Sequence, residues 1–249
     1  MKRSETGVSE DGILGNRIRL RQPRDGERAA IDPVFLAAAV PATAGDTVVD
    51  VGSGTGVAAL CLAARVSDFG IAALEIQPDL VELARENAAL NGYGDRITVY
   101  QGDLRDTRYL LPPDSFDQVM TNPPYFEPGE SSPSPNEARR LAHVQTDGGL
   151  AGWIEACLGL LRDGGTLTVI HRAERLGALL AALEPLAGEA NIFPLWPGSV
   201  KPARRVVVRA RKGIRAPSVL HPGLVLHGPD GGYTPEAEQI LRHAQPLVF

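Results

Sequence analysis

In "NRIRLRQ", Ile18 and Leu20 alternate with Arg17, Arg19 and Arg21, a period of two that predicts a half-buried strand with three arginines on its wet face. Residues 1 to 12, small and polar, predict a frayed terminus. Asp32-Pro33 then opens an Ala-rich helix to about Val40, with Asp as N-cap and proline at the first helical position. From residue 46 apolar strands alternate with helical stretches: strand "DTVVDV", helix 55 to 65, strand "GIAALE", helix 78 to 90, strand "RITVY", strand "FDQVM". Pro78 starts the second of these helices and Asn91-Gly92 ends it. Strands and helices in alternation predict an α/β fold with a parallel sheet and helices on its faces. Further on come a Pro-, Ser- and Gly-rich loop (127 to 135), helices near 136 to 144 and 148 to 162, strand "GTLTVIH", helix 173 to 184 and strand "ANIFPL". The block "ARRVVVRARKGIR" closes the sheet. No internal repeat or interdomain linker interrupts the pattern, so the expectation is one domain over 1–249: an N-terminal extension (1–30), a core (31–212) and a C-terminal extension (213–249).

Composition narrows the partners. With 43% hydrophobic residues in 249 the chain can bury a core, and a formal net charge of −5 leaves no global signature of a nucleic-acid binder. Any polyanion must meet a local basic patch. Only Lys2, Lys201 and Lys212 are lysines among the 25 basic residues, a bias that carries little function. Cys61 and Cys157 stand alone in apolar, helix-like stretches without a Cys-x-x-Cys or a neighbouring His at ligand spacing, and predict core thiols in a reducing compartment and no metal. Uncharged runs such as Pro33 to Ala44 are too short to span a bilayer, so the expectation is a cytoplasmic, soluble protein with no membrane association.

Two stretches carry chemistry. "VVDVGSGTG" sets Asp50, Gly52, Gly54 and Gly56 after a buried strand and at the mouth of a helix, where bare backbone approaches a nucleotide-like ligand and helix N–H groups point at it. The dinucleotide fingerprint needs its last glycine where Val57 stands, which weakens an NAD reading. Glu75, at the carboxyl end of the second strand, is placed to accept both ribose hydroxyls, and "YQGD" puts Asp103 on the same rim. The other stretch is "FDQVMTNPPYFEPG". Neither Pro123 nor Pro124 has an N–H for a ladder, so the chain leaves the sheet at Asn122.

"VVDVGSGTG", "LEIQPDLVELARENAALNG", "GDL" and "NPPYF" together resemble the class I S-adenosylmethionine-dependent methyltransferases that carry an Asn-Pro-Pro-Tyr motif, and most of all the bacterial tRNA adenine-N6 methyltransferases acting beside the anticodon of valine tRNA. The resemblance runs from "LGNRIRLRQP" through "DPVFLAAAVP" to "VVVRARKG" and "GGYTPEAEQILR". It implies a Rossmann-like, mostly parallel seven-stranded sheet with an antiparallel last strand, S-adenosylmethionine as cofactor and tRNA as partner. Glu75 would hold the cofactor ribose and Asp103 its adenine amine; Asp50, Gly52, Gly54 and Gly56 would shape the turn around the methionine portion, with Asp32 near its amino-acid end and Asn122 bordering it. An exocyclic adenine amine is a poor nucleophile because its lone pair is delocalised into the ring. Two fixed acceptors, the Asn122 side-chain oxygen and the Pro123 carbonyl made rigid by Pro124, would take its hydrogens and aim the nitrogen. Tyr125 offers a face on which an extruded base stacks, worth roughly 1–3 kcal/mol, and Phe126 extends it.

Structural roles compete at several positions. Asp32 is as good an N-cap as a ligand contact, and Asp103 as good an Asx-turn residue with Asp106 nearby. Arg205, Arg209 and Arg211 share one face of a strand, which suits either a solvated face or, with Arg17, Arg19 and Arg21, the positive surface that tRNA phosphates need. Asn136, Arg139, Arg140 and His143 fall on one helical stripe beside the predicted site and are candidate substrate contacts. Rival functions are a protein glutamine-amide methyltransferase, which poses the same lone-pair problem but brings an amino-terminal helical domain not seen here, and a guanine-N2 methyltransferase, which usually has Phe where this chain has Tyr125. A non-catalytic cofactor-binding scaffold for RNA or protein is the rival from outside enzymes.

Overall fold

The computed structural model describes residues 7–24, 31–107, 109–124 and 148–249. Its strands are β1 (Val8–Ile13), β2 (Ile18–Pro23), β3 (Thr47–Val51), β4 (Gly70–Glu75), β5 (Ile97–Gln101), β6 (Phe116–Thr121), β7 (Leu161–Arg172), β8 (Ala187–Trp196), β9 (Arg205–Lys212), β10 (Val219–Leu220) and β11 (Leu224–Val225). Its helices are α1 (Asp32–Ala39), α2 (Val57–Arg65), α3 (Pro78–Leu90), α4 (Gly149–Leu160), α5 (Leu176–Leu183) and α6 (Pro235–His243). Among the described residues no helix is long and apolar enough to cross a membrane. The helix expected near 136 to 144 lies outside the described residues.

The main sheet runs β10-β8-β9-β7-β6-β3-β4-β5, with β11 also on β8. Strands β3 to β7 are parallel and β9 is antiparallel to both its neighbours. The seven long strands are therefore mostly parallel with an antiparallel last one, as expected. The last strand does not close the sheet at its edge, however; it inserts between β7 and β8. Local periodicity says nothing of pairing order, and only a strand apolar on both faces, such as Val206, Val207 and Val208, suits an interior place.

Apolar side chains bury both faces of the sheet. On one, α1, α2 and α3 pack with Ile170, Val207 and Leu195; on the other, α4 and α5 pack with Val119, Val169 and Val208. After β3 the chain builds outward to β4 and β5, then returns to lay β6 on the opposite side of β3. The strand order reverses between β3 and β6, and in open α/β sheets the crevice at such a reversal, beyond the strands' carboxyl ends, is where ligands bind.

The amino-terminal segment departs from expectation. Val8–Ile13 is not frayed: it pairs with β2 from Val8↔Pro23 to Ile13↔Ile18, through a turn with Leu14, Gly15 and Asn16 all at positive φ. Its alternation of exposed and half-buried residues is a weak signal without the partner strand. The free edge of β2 is satisfied by two amides one turn apart, Asn87 on α3 and Asn91 at its C-cap. Asn91 Oδ1 and Nδ2 bond the backbone of Arg19 at 2.9 and 2.7 Å, and Asn87 does the same at Arg21 at 2.7 and 2.9 Å. Asn87, wholly buried, also donates to the carbonyl of Thr55, so one side chain ties the hairpin to the glycine turn. Asp32 is the first residue of α1 rather than its N-cap; Ile31 takes that place, with no side-chain cap.

Candidate functional site

Beyond Val51, Gly52, Gly54 and Gly56 have φ of +71°, +57° and +84°, the left-handed region that only glycine enters without strain. Two of them also face space that matters. A Cβ on Gly52 would meet the Trp153 ring at 3.2 Å, whereas one on Gly54 would meet nothing within 4 Å, so the turn opens there. The turn is hung on β4: Gly52 and Ser53 donate to the Leu74 carbonyl at 2.9 and 3.0 Å.

Glu75 sits next to it, buried, at the carboxyl end of β4. Its Oε2 accepts from Gly54 N–H at 2.9 Å and its Oε1 from Ile76 and Gln77 N–H at 3.0 and 2.9 Å. A carboxylate offers about four acceptor sites, so Oε2 keeps capacity for a hydroxyl. Asp103 follows β5 and caps the 3-10 turn Leu104–Asp106: its Oδ1 accepts from the backbone and Nε of Arg105 at 3.0 and 2.8 Å, and its Oδ2 pairs with the same guanidinium. The turn-forming role weighed for Asp103 is thus real. Glu75 and Asp103 share one cleft with Gly52, Leu104, Pro124 and Trp153.

Beneath the turn, Asp50 is buried and its carboxyl is pushed up to about 7, chiefly by burial and further by the charge of Glu75, against a hydrogen bond from the Ala59 backbone. Asp50 Oδ2 and Ser53 Oγ are buried with no partner among the described residues. A cleft with apolar walls, two carboxylates at its rim and partnerless polar atoms below suits a ligand with an apolar ring system, hydroxyls and a polar tail.

The end of β6 borders this cleft. Thr121 Oγ1 donates to the Val51 carbonyl at 2.9 Å and accepts the Trp153 indole N–H at 3.0 Å, so the residue before Asn122 is bolted to the strand that carries the glycine turn. Asn122 is half-buried, Pro123 is buried and Pro124 lines the cleft. Trp153 escaped the sequence reading: in "GLAGWIEACLGL" it looks like one more apolar helix residue, and its contacts are made across the fold. Tyr125, Phe126, Arg139, Arg140 and His143 lie outside the described residues.

The remaining candidates are spread over the molecule and tied into it. Arg205 Nε meets Asp32 Oδ2 at 2.6 Å, an ion pair with Asp32 only 8% exposed. The Arg209 guanidinium lies 3.6 Å from the centre of the Phe249 ring, and Arg211 pairs with Glu189 at 3.1 Å. On that face of β9 Arg205 and Arg209 are half-buried, Arg209 beneath the carboxyl-terminal Phe249, and Arg211 is exposed. On the hairpin, Arg19 pairs with Glu10 at 2.7 Å and Arg21 with Glu10 and Glu86, while Arg17 is exposed at the turn. Among the described residues there is no group of three or more His, Cys, Asp or Glu able to hold a metal.

Comparison with known proteins agrees with this geometry. The family described as Methyltransferase small domain matches residues 30–144. A tRNA1(Val) (adenine(37)-N6)-methyltransferase of Aeromonas hydrophila is 29% identical over 231 residues, 90% of this chain and 92% of that protein. An enzyme of the same name from Tolumonas auensis is 30% identical over 173 residues, 69% of this chain and 70% of its own. The crystal structure of a predicted O-methyltransferase from Agrobacterium tumefaciens superposes with a TM-score of 0.73 at 25% identity, covering 87% of this chain and 98% of that one.

Proposed function

The chain belongs to the family of the bacterial tRNA1(Val) adenine-N6 methyltransferases and is an S-adenosylmethionine-dependent N-methyltransferase, and from that premise we propose that it methylates the exocyclic N6 amine of an adenosine in tRNA, beside the anticodon. The observation that carries the reading is the position of Asn122-Pro123-Pro124: it follows β6 directly, and Thr121 locks it to the strand end from which the glycine turn springs.

S-adenosylmethionine supplies an electrophilic methyl group on a positively charged sulfur. The residues present fit it. The open side of Gly54 and the spare acceptor capacity of Glu75 Oε2 suit the ribose, Leu104 and Asp103 suit the adenine, and the partnerless Asp50 Oδ2 and Ser53 Oγ lie on the side of the methionine portion. Asp32 has a weaker claim, since its carboxylate is engaged by Arg205.

Toward the substrate, the Asn122 amide oxygen and the Pro123 carbonyl accept the two hydrogens of the amine. With Pro124 stiffening the backbone at Pro123, these two acceptors draw nitrogen toward tetrahedral geometry and aim its lone pair without a strong base. The proton released on transfer passes to water, because a neutral amide oxygen aligns it but is too weak a base to keep it. Tyr125 is the residue for the base to stack on, since it comes three positions after Asn122 and the turn is stiffened by the prolines between them.

The test is transfer of labelled methyl from S-adenosylmethionine to total tRNA, ribosomal RNA and a release factor offered separately, with nucleoside and peptide mass spectrometry. N6-methyladenosine in tRNA is the expected product. Label on a guanine N2 or a glutamine amide overturns the substrate while sparing the cofactor cleft.

A further inference from the structure

Of the arginines singled out from the sequence as an RNA surface, Arg205 and Arg209 are held by Asp32 and Phe249, while Arg19, Arg21 and Arg211 are exposed in ion pairs with carboxylates, and another basic group stands beside Asn122. β6 and β7 pair with Thr121 opposite Val169, β7 and β9 with Arg172 opposite Arg205, and β9 and β8 with Arg205 opposite Leu195. Arg172 therefore lies one strand over from Asn122 and two residues further out, about 8 Å away from strand spacing and rise. Arg175 follows in the 3-10 turn after β7. The loop between β8 and β9, at the same rim, carries Lys201 and Arg204, both exposed and held on a turn in which Lys201 N–H donates to the Gly198 carbonyl at 3.1 Å. Pro197 and Pro202 flank that turn and limit its freedom.

Among the described residues, Glu174 pairs with Arg172 at 3.4 Å and Asp32 from α1 with Arg205 at 2.6 Å. The concentration of positive charge registers on His171, buried among them: it is pushed down to about 4, first by burial and then by Arg175, Arg172 and Arg205. In a chain of net charge −5, four basic residues thus gather at the strand-end rim beside Asn122.

We propose that this rim, with Arg172, Arg175, Lys201 and Arg204 as its contacts, grips RNA backbone phosphates while the target base sits at Asn122. The proposal rests on the reading of tRNA as substrate and assigns the surface that reading needs. Phosphate contacts set the register of an RNA on its enzyme without reading its sequence, and each makes binding salt-dependent by displacing counterions. A rim two residues above the reaction centre puts these contacts next to an extruded nucleotide. Arg211 stands six residues down β9 from Arg205, about 20 Å toward the opposite end of the sheet, and lies outside this surface.

The test is tRNA affinity as a function of salt for the wild-type chain, for Lys201→Ala with Arg204→Ala, and for Arg211→Ala, beside S-adenosylmethionine affinity for each. Each phosphate contact adds about 0.7–0.9 to the slope of log affinity against log salt, so the double variant should lose about 1.5 from the slope and bind tRNA at least tenfold more weakly in low salt. Arg211→Ala should keep the wild-type slope, and cofactor affinity should be the same throughout. Wild-type slope in the double variant, with tRNA still bound and methylated by the wild type, overturns this surface alone. A wild-type chain that binds no tRNA overturns both the surface and the functional reading.

Discussion

Asp50 shows how much one buried carboxyl can report. Its pKa stands at about 7 instead of 3.8 because burial penalises its charge and Glu75 is close. The folded chain then holds this proton more tightly than the unfolded one. The stabilising contribution is complete below about pH 4 and is lost as pH rises through 7, a difference on the order of 4 kcal/mol. Asp50→Asn cannot ionise, so its stability relative to wild type should improve between pH 5 and pH 8 in urea unfolding without cofactor; an unchanged difference would contradict the assignment. Arg205 belongs at the same scale. Arg205→Ala removes the ion pair of a nearly buried Asp32 carboxylate and should cost about 1–3 kcal/mol, whereas Arg211→Ala breaks an exposed pair with Glu189 and should cost less than about 1 kcal/mol. Equal losses in thermal unfolding would return both arginines to a common solvated face.

At the scale of elements, the stretch from residue 46 to 121 was the most legible, because parallel strands buried on both faces write continuous apolar runs and Pro78, Asn91 and Gly92 mark the ends of α3. The glycine turn, Glu75 and Asn122 could be placed for the same reason: each sits at a strand end that periodicity locates. What stayed unread depends on contacts between distant segments. The Asp32–Arg205 pair spans 173 positions, β1 needs β2 beside it, and Trp153 reaches Thr121 across 32 positions. Asn87, expected only as a helix residue, makes the most consequential of these contacts. Asn87→Ala would leave the Arg21 N–H and the Arg21 and Thr55 carbonyls short of partners, so a loss of about 3 kcal/mol or more in denaturant unfolding is expected. A loss under 1 kcal/mol would mean that the hairpin does not brace the turn. Trp153→Phe keeps the ring against Gly52 and removes the N–H bond to Thr121; the methylation rate should fall more than cofactor affinity does, because the bond supports the strand end that leads to Asn122.

The whole molecule is an arrangement for bringing two strand ends together. The chain's return to β6 on the far side of β3 sets the glycine turn and Asn122 on neighbouring strands, with Glu75 and Asp103 on the strands beyond, and insertion of β9 brings a basic rim to the same edge. On the proposed reading, cofactor grip and amine alignment fall to different residues, which makes them separable. The most direct measurement is Asn122→Ala followed in two ways, S-adenosylmethionine affinity by calorimetry and single-turnover methylation of tRNA. Affinity close to wild type with a rate lower by about 10²–10³ is the predicted result, the loss typical of removing one fixed polar group at a reacting centre. A methylation rate near wild type would contradict the placement of the chemistry at the end of β6.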